Sequence, residues 1–135
     1  MTDDELLARA REARDHAYAP YSRYRVGCAV LADGQVYVGA NIENVSYGAV
    51  LCAERVAVAL AAYAGARDIE AVALVTQSSP PVAPCGLCRQ AMMEFTRDPA
   101  GLRVLMANSE GERIDATLAE LLPRGFRKQD LEDAT

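Results

Sequence analysis

Leu6, Ala10, Ala13 and Ala17 recur at helical spacing behind Thr2, and Glu5, three residues after Thr2, completes a capping box. The chain is therefore predicted to open on a helix that runs as far as Tyr18 and stops before Pro20. The period then changes. Val- and Tyr-rich stretches at 24–31 and 35–40 flank Ala32-Asp33-Gly34, whose Asp-Gly pair suits a tight turn, so an antiparallel hairpin is expected. Residues 41–47 are polar and loop-like. A nearly unbroken apolar run of strong helix formers spans 50–64, with Gly65 as its C-cap. Ile69 to Thr76 reads as a buried strand. Ser-Pro-Pro-Val-Ala-Pro is a rigid loop that places Pro84 in the first turn of a helix over 85–96. Short strands at 102–107 and 112–115 are joined by Asn108-Ser109-Glu110-Gly111. That link is too brief for the crossover parallel neighbours need, so these strands are antiparallel. Thr117 with Glu120 is a second capping box, opening a short helix to Leu122, and 123–126 leave it as an exposed aromatic tail.

The order αββαβαββα predicts an α/β fold, a five-stranded mixed sheet with helices on its faces. Within it, the segment Val56-Ala57-Val58-Ala59-Leu60-Ala61-Ala62 is apolar around its whole circumference. One sheet covers one side of a helix, so flanking elements or a second subunit must cover the rest.

Composition narrows the function. A length of 135 residues fits a single domain, 1–135, with no repeat or linker to divide it. The formal charge of -5 argues against nucleic-acid binding by counterion release and favours small molecules or other proteins as partners. The longest near-apolar run, Val56 to Ala66, is far short of the roughly 18 residues that cross a bilayer, so no membrane role is expected. Residues 1–11 lack the basic and apolar regions of a secretory signal, and a cytoplasmic location follows as the expectation.

Four cysteines are too sparse for a disulfide scaffold. Cys28 lies in an apolar stretch and reads as a buried strand residue. Cys52, Cys85 and Cys88 instead sit where two helices begin, where the helix end lowers a thiol pKa and a metal can take the thiolate. Cys85 and Cys88 are three apart, about 300° around a helix, so they face one side and can chelate together. Cys52 would close a set of three protein ligands on zinc, the pattern that leaves one tetrahedral position for water of lowered pKa. Glu54 is roughly 200° from Cys52 around an established helix. Side chains lean toward the helix N-terminus, however, so both can reach a metal lying beyond the helix end, and Glu54 is a candidate proton shuttle. Three thiolates with Zn²⁺ carry a net negative charge, which Arg55 and Arg89, each beside a ligand, could draw off. From spacing alone, a closed structural zinc site with Cys28 as fourth ligand and a dithiol redox pair both remain open. His16, the lone histidine, reads as a surface or packing residue, and no mechanism needing a histidine triad is available.

Cys52-Ala53-Glu54-Arg55 followed by Pro84-Cys85-Gly86-Leu87-Cys88-Arg89-Gln90 resembles the Cys-x-Glu and Pro-Cys-x-x-Cys signature of zinc nucleoside deaminases. Ala19-Pro20-Tyr21-Ser22, Val26-Gly27, Asn41-Ile42-Glu43-Asn44-Val45-Ser46-Tyr47-Gly48 and Leu121-Leu122-Pro123 resemble, in order and spacing, the small homotetrameric cytidine deaminases over nearly the whole chain. The resemblance implies a three-layer α-β-α sandwich with one Zn²⁺ per subunit. It implies hydrolysis of cytidine and 2′-deoxycytidine to the uridines and ammonia, a reaction of pyrimidine salvage. Water activated by zinc would attack C4, while Glu54 carries its proton to N3 and then to the leaving ammonia.

By the same resemblance Asn41 and Glu43 would hold the ribose hydroxyls, and the Ala53 backbone and Tyr24 would meet the base. Tyr47 and Phe126 would enter a neighbouring subunit's site. Tyr24 stands where a Phe is usual, Val45 where Ala is usual, and Cys28 where Ala is frequent. These departures bear on substrate breadth rather than on the reaction. The related blasticidin S deaminase shares the zinc motifs, but the 41–48 loop and Cys-Ala-Glu-Arg favour the nucleoside enzyme. Deaminases of polynucleotides usually carry His in place of Cys52.

Overall fold

A computed structural model describes residues 1–133. Helix α1 (Asp3–Arg14) is followed by strands β1 (Gly27–Ala32) and β2 (Gln35–Ala40) and a 3-10 turn (Tyr47–Ala49). Helix α2 (Ala53–Tyr63), β3 (Ile69–Thr76), α3 (Gly86–Glu94), β4 (Arg103–Asn108) and β5 (Arg113–Thr117) come next. Two short helices, α4 (Leu118–Leu121) and α5 (Lys128–Asp133), close the described chain.

The sheet order is β2-β1-β3-β4-β5, with β3 and β4 parallel and every other pairing antiparallel. Strand alternation splits the core into two layers. Cys28, Val30, Val72, Val104 and Met106 face α2 and α3, whereas Ala29, Ala71, Ala73, Val75 and Leu105 meet Leu6, Leu7 and Ala10 of α1. The result is the expected three-layer arrangement of helix, mixed sheet and helices.

Local signals explain most boundaries. The Thr2 and Thr117 capping boxes both form. Asp33 and Gly34 take φ of 48° and 79°, as a two-residue hairpin with the strands' own twist demands. Gly65, at φ 96°, follows the Ala64 cap of α2.

Several boundaries differ from expectation. The first helix ends at Arg14 rather than Tyr18: Asp15, His16 and Ala17 close three-residue turns, and Tyr18 leaves to pair with the polar loop. Its N–H donates to the Asn41 carbonyl at 2.9 Å, and its carbonyl accepts from Glu43 N at 2.9 Å. Strand β1 starts at Gly27 rather than Tyr24, because the Asn41 side chain grips the preceding segment. Asn41 Oδ1 accepts from Val26 N at 2.9 Å, and Nδ2 donates to the Tyr24 carbonyl at 2.7 Å.

The helical run expected from Val50 begins only at Ala53, with Cys52 as its N-cap, and Pro84 precedes the Cys85 N-cap of α3 instead of entering its first turn. Helix α5 was not expected. It has no buried face, and its start is held by Arg127 N donating to Asp130 Oδ2 at 2.8 Å. The cover expected for α2 is one-sided: Ala57, Val58 and Ala61 are buried, while Leu60 is 46% and Tyr63 91% exposed. Among the described residues, no helix is long and apolar enough to cross a membrane.

Candidate active site

Cys52 caps α2 and Cys85 caps α3, while Cys88 lies one turn into α3, so two helix N-termini converge on one cluster of sulfurs. The three Sγ atoms lie within 4.8 Å of one another, and those of Cys85 and Cys88 are 3.4 Å apart. Tetrahedral zinc with Zn–S of about 2.3 Å sets ligand sulfurs about 3.8 Å apart, so the donor set fits the metal in chemistry and in spread. Cys28 is fully buried in β1 and is not one of the residues of this cluster.

The cluster is polarised. Cys52 is pulled down to about 5, chiefly by its hydrogen bond with Cys88 and further by Arg55, against the opposing effect of burial. Cys88, giving up that proton least readily, is pushed far up by the same bond and by burial. Arg55 donates through Nη2 to the Val50 carbonyl at 3.1 Å and reaches Cys52 Sγ at 4.0 Å, and its buried Nε has no hydrogen-bond partner. Arg89 serves backbone: its Nε donates to the Pro84 carbonyl at 2.7 Å and its Nη1 to the Leu121 carbonyl. It ties the loop before Cys85 to α4.

Glu54, in the first turn of α2, is 5% exposed. Burial raises its carboxyl above the ordinary range, and the Cys52 charge adds to that. It lines a cavity of about 340 Å³ together with Cys52, Ala53, Asn41, Glu43 and Ser22. Tyr24, Val26, Leu74, Thr76 and Val82 also line it. Within this lining, Glu43 Oε1 accepts from Tyr21 N at 2.9 Å and Ser22 N at 3.1 Å, and Oε2 accepts from Ser22 Oγ. The Ser22 hydroxyl, then its backbone N–H, hold this carboxyl below its ordinary value, so at neutral pH it is a charged acceptor.

Six of the residues singled out in the sequence therefore share one cavity: Tyr24, Asn41, Glu43, Cys52, Ala53 and Glu54. Cys85 and Cys88 complete the sulfur cluster beside it. Tyr47 and Phe126 do not line this cavity; they are 89% and 60% exposed on the outer surface. Val45 is likewise exposed. The apolar wall residues Leu74 and Val82, and Thr76 at the end of β3, carried no signal in the sequence, because nothing in a strand pattern tells which end opens into a pocket. Ser22 lay inside a quoted motif, but its grip on Glu43 is a contact across 21 positions.

The fold and this centre define an α/β protein with a three-thiol cluster that can hold a metal and a buried carboxyl at its side. The family described as the cytidine and deoxycytidylate deaminase zinc-binding region matches residues 1–100, and the chain belongs to it. A cytidine deaminase of Halalkalibacterium halodurans is 47% identical over 134 residues, 98% of this chain and 100% of that relative. One of Sporosarcina psychrophila is 43% identical, covering 97% of this chain and 96% of its own. The crystal structure of cytidine deaminase from Burkholderia pseudomallei superposes with a TM-score of 0.87 at 43% identity, covering 93% of this chain and 100% of that one.

Proposed function

We propose that the protein hydrolyses cytidine and 2′-deoxycytidine to uridine and 2′-deoxyuridine, releasing ammonia, and so serves pyrimidine salvage. The observation that carries this reading is Glu54: a buried carboxyl whose affinity for a proton is raised by burial, beside the thiol cluster and inside a nucleoside-sized cavity.

Cys52, Cys85 and Cys88 would hold the zinc, which supplies Lewis acidity that lowers the pKa of water toward about 7. Glu54 takes the proton from the attacking water as its oxygen bonds to C4. It passes that proton to N3, then takes the proton left on the new C4 hydroxyl and delivers it to the amino nitrogen, so that the C4=O bond forms as the C4–N bond breaks and ammonia leaves. Water and cytidine thus balance against uridine and ammonia. The backbone of Ala53 meets the base from the helix end. Asn41 and the charged Glu43 hold the sugar hydroxyls, and Tyr24 forms a wall against the ring. Arg55 offsets thiolate charge at Cys52, while Arg89 keeps the Pro84–Cys85 loop in place.

The same reading makes 1–135 one catalytic unit working as a homotetramer in which Tyr47 and Phe126 complete a neighbour's pocket. Support comes from the open outer face of α2 and from the exposure of both aromatics. A cytoplasmic location suits a centre that needs its thiols reduced.

The test is to incubate the zinc-loaded protein with cytidine and follow the absorbance lost as the 4-amino group leaves, then to repeat it after chelation and after zinc is restored. Turnover that disappears with the metal and returns with it is expected. Zinc-loaded protein inert toward cytidine and deoxycytidine would overturn the reading.

A further inference from the structure

We propose that Ser78 is a positioning residue for substrate recognition: it holds the Tyr24 hydroxyl and thereby fixes the Tyr24 ring as one wall of the cavity. The proposal rests on reading that cavity as the nucleoside site.

Tyr24 arrives on the irregular segment before β1, and Ser78 sits in the loop after β3, 54 positions away, yet the two hydroxyls are hydrogen-bonded in a half-buried setting. The backbone of Tyr24 is already fixed at both ends. Its N–H donates to Ser22 Oγ at 3.0 Å, and its carbonyl accepts from Asn41 Nδ2 at 2.7 Å. Side-chain rotation is the freedom that remains, and the bond to Ser78 restricts it.

Ser78 is in turn a braced anchor. Its N–H donates to Thr76 Oγ1 at 3.2 Å, and its carbonyl accepts from Asn108 Nδ2 at 3.0 Å. Asn108 is buried, and its other bonds tie it to the turn between β4 and β5: Nδ2 donates to Glu112 Oε1 at 3.0 Å, and Oδ1 accepts from Glu110 N and Glu112 N. The wall of the pocket is thus referred to the rigid end of the sheet. Val26, Leu74 and Val82 share this wall. A phenol hydroxyl stranded among such neighbours loses its water without replacement, a cost that Ser78 removes. A phenylalanine could not be held in this way.

A pre-ordered wall helps ground state and transition state alike, so losing it appears in KM rather than kcat. Ser78→Ala is expected to raise KM for cytidine about three- to tenfold, with kcat within about twofold of wild type. Ser78→Thr, which keeps a hydroxyl, is expected to restore KM. Because removing both partners of a hydrogen bond is milder than removing one, Ser78→Ala should be nearly silent in a Tyr24→Phe background.

The experiment is this double-mutant cycle on KM and kcat, with the χ1 rotamer distribution of Tyr24 measured from NMR three-bond couplings in wild-type and Ser78→Ala proteins. Coupled KM effects and a broadened χ1 distribution in Ser78→Ala support the proposal. Equal effects of Ser78→Ala in both backgrounds, a loss confined to kcat, or an unchanged χ1 distribution would overturn it. A wild-type protein unable to turn over cytidine sinks the functional reading instead, and the couplings still decide whether Ser78 holds Tyr24.

Discussion

A Cβ placed on Gly39 would lie 2.6 Å from the Ala53 carbonyl oxygen, closer than real Cβ contacts come. The same atom would stand 2.6 Å from Ala57 N and 3.0 Å from Val56 Cβ. Strand β2 and the first turn of α2 therefore touch backbone to backbone, and this contact sets where Cys52, Ala53 and Glu54 stand relative to the sheet. Gly39→Ala must push the start of the helix outward. It is expected to cost about 1–3 kcal/mol in chemical denaturation and to weaken zinc retention. Gly86→Ala is the matched control: it lies between two of the thiols, yet its Cβ would meet nothing within 4 Å. Melting and metal content should be unchanged or improved there, since Ala favours a helix over Gly.

Such contacts show where reading a sequence stops. The capping boxes at Thr2 and Thr117 and the Asp33-Gly34 turn are local devices, and each formed where the residues placed it. The thiols were legible for a similar reason, since two short motifs at helix starts carry them. Strand β1 starts later than its residue pattern predicts because Asn41, 15 and 17 positions from its partners, supplies by side chain the bonds a strand would supply by backbone. Helix α5 has no apolar stripe to announce it in the sequence; what the structure shows there are a cap from Asp130 to Arg127 N and an exposed Lys128–Glu132 pair that adds little. Arg89 looked like a partner for sulfur from its adjacency to Cys88, but a helical neighbour points elsewhere, and its bonds go to the Pro84 and Leu121 carbonyls.

Glu54→Gln keeps the shape of the side chain and removes its ability to accept and return a proton. Turnover is expected to fall by at least about 10²-fold while zinc content stays at one per subunit, because Glu54 is not one of the three clustered donors. Steady-state kinetics with metal analysis on the same sample checks this. A variant that keeps wild-type turnover would remove Glu54 from the proton path.

Glu43 carries a pH dependence of definite sign. Donation from Ser22 Oγ, Ser22 N and Tyr21 N lowers its pKa below the ordinary 4.5, so the folded state binds the proton less readily than the unfolded chain. The stabilisation is fully present above the unfolded value and disappears as pH falls through the depressed folded value. The stability difference between wild type and Glu43→Gln should accordingly shrink on acidification through that window. NMR titration should find the Glu43 carboxyl below its ordinary value and find it raised in Ser22→Ala; an unmoved titration would show that Ser22 is not the cause.

Tyr47 is the residue through which assembly and chemistry can be tested together. It stands exposed on the 3-10 turn between the 41–46 loop and α2, outside the cavity of its own chain. Leu60 and Tyr63 lie exposed on the helix that follows. Isolated exposed apolar side chains are ordinary, but α2 lacks cover along a face that its sequence makes apolar. If neighbours supply that cover and receive Tyr47 in return, sedimentation will find a tetramer, and specific activity will fall on dilution into the range where it dissociates. Tyr47→Ala should then weaken assembly and lower kcat/KM together, while a chain whose own pocket is complete would remain fully active as a monomer. Full kcat/KM in a demonstrably monomeric Tyr47→Ala protein would assign Tyr47 to the surface alone and leave each site to its own subunit.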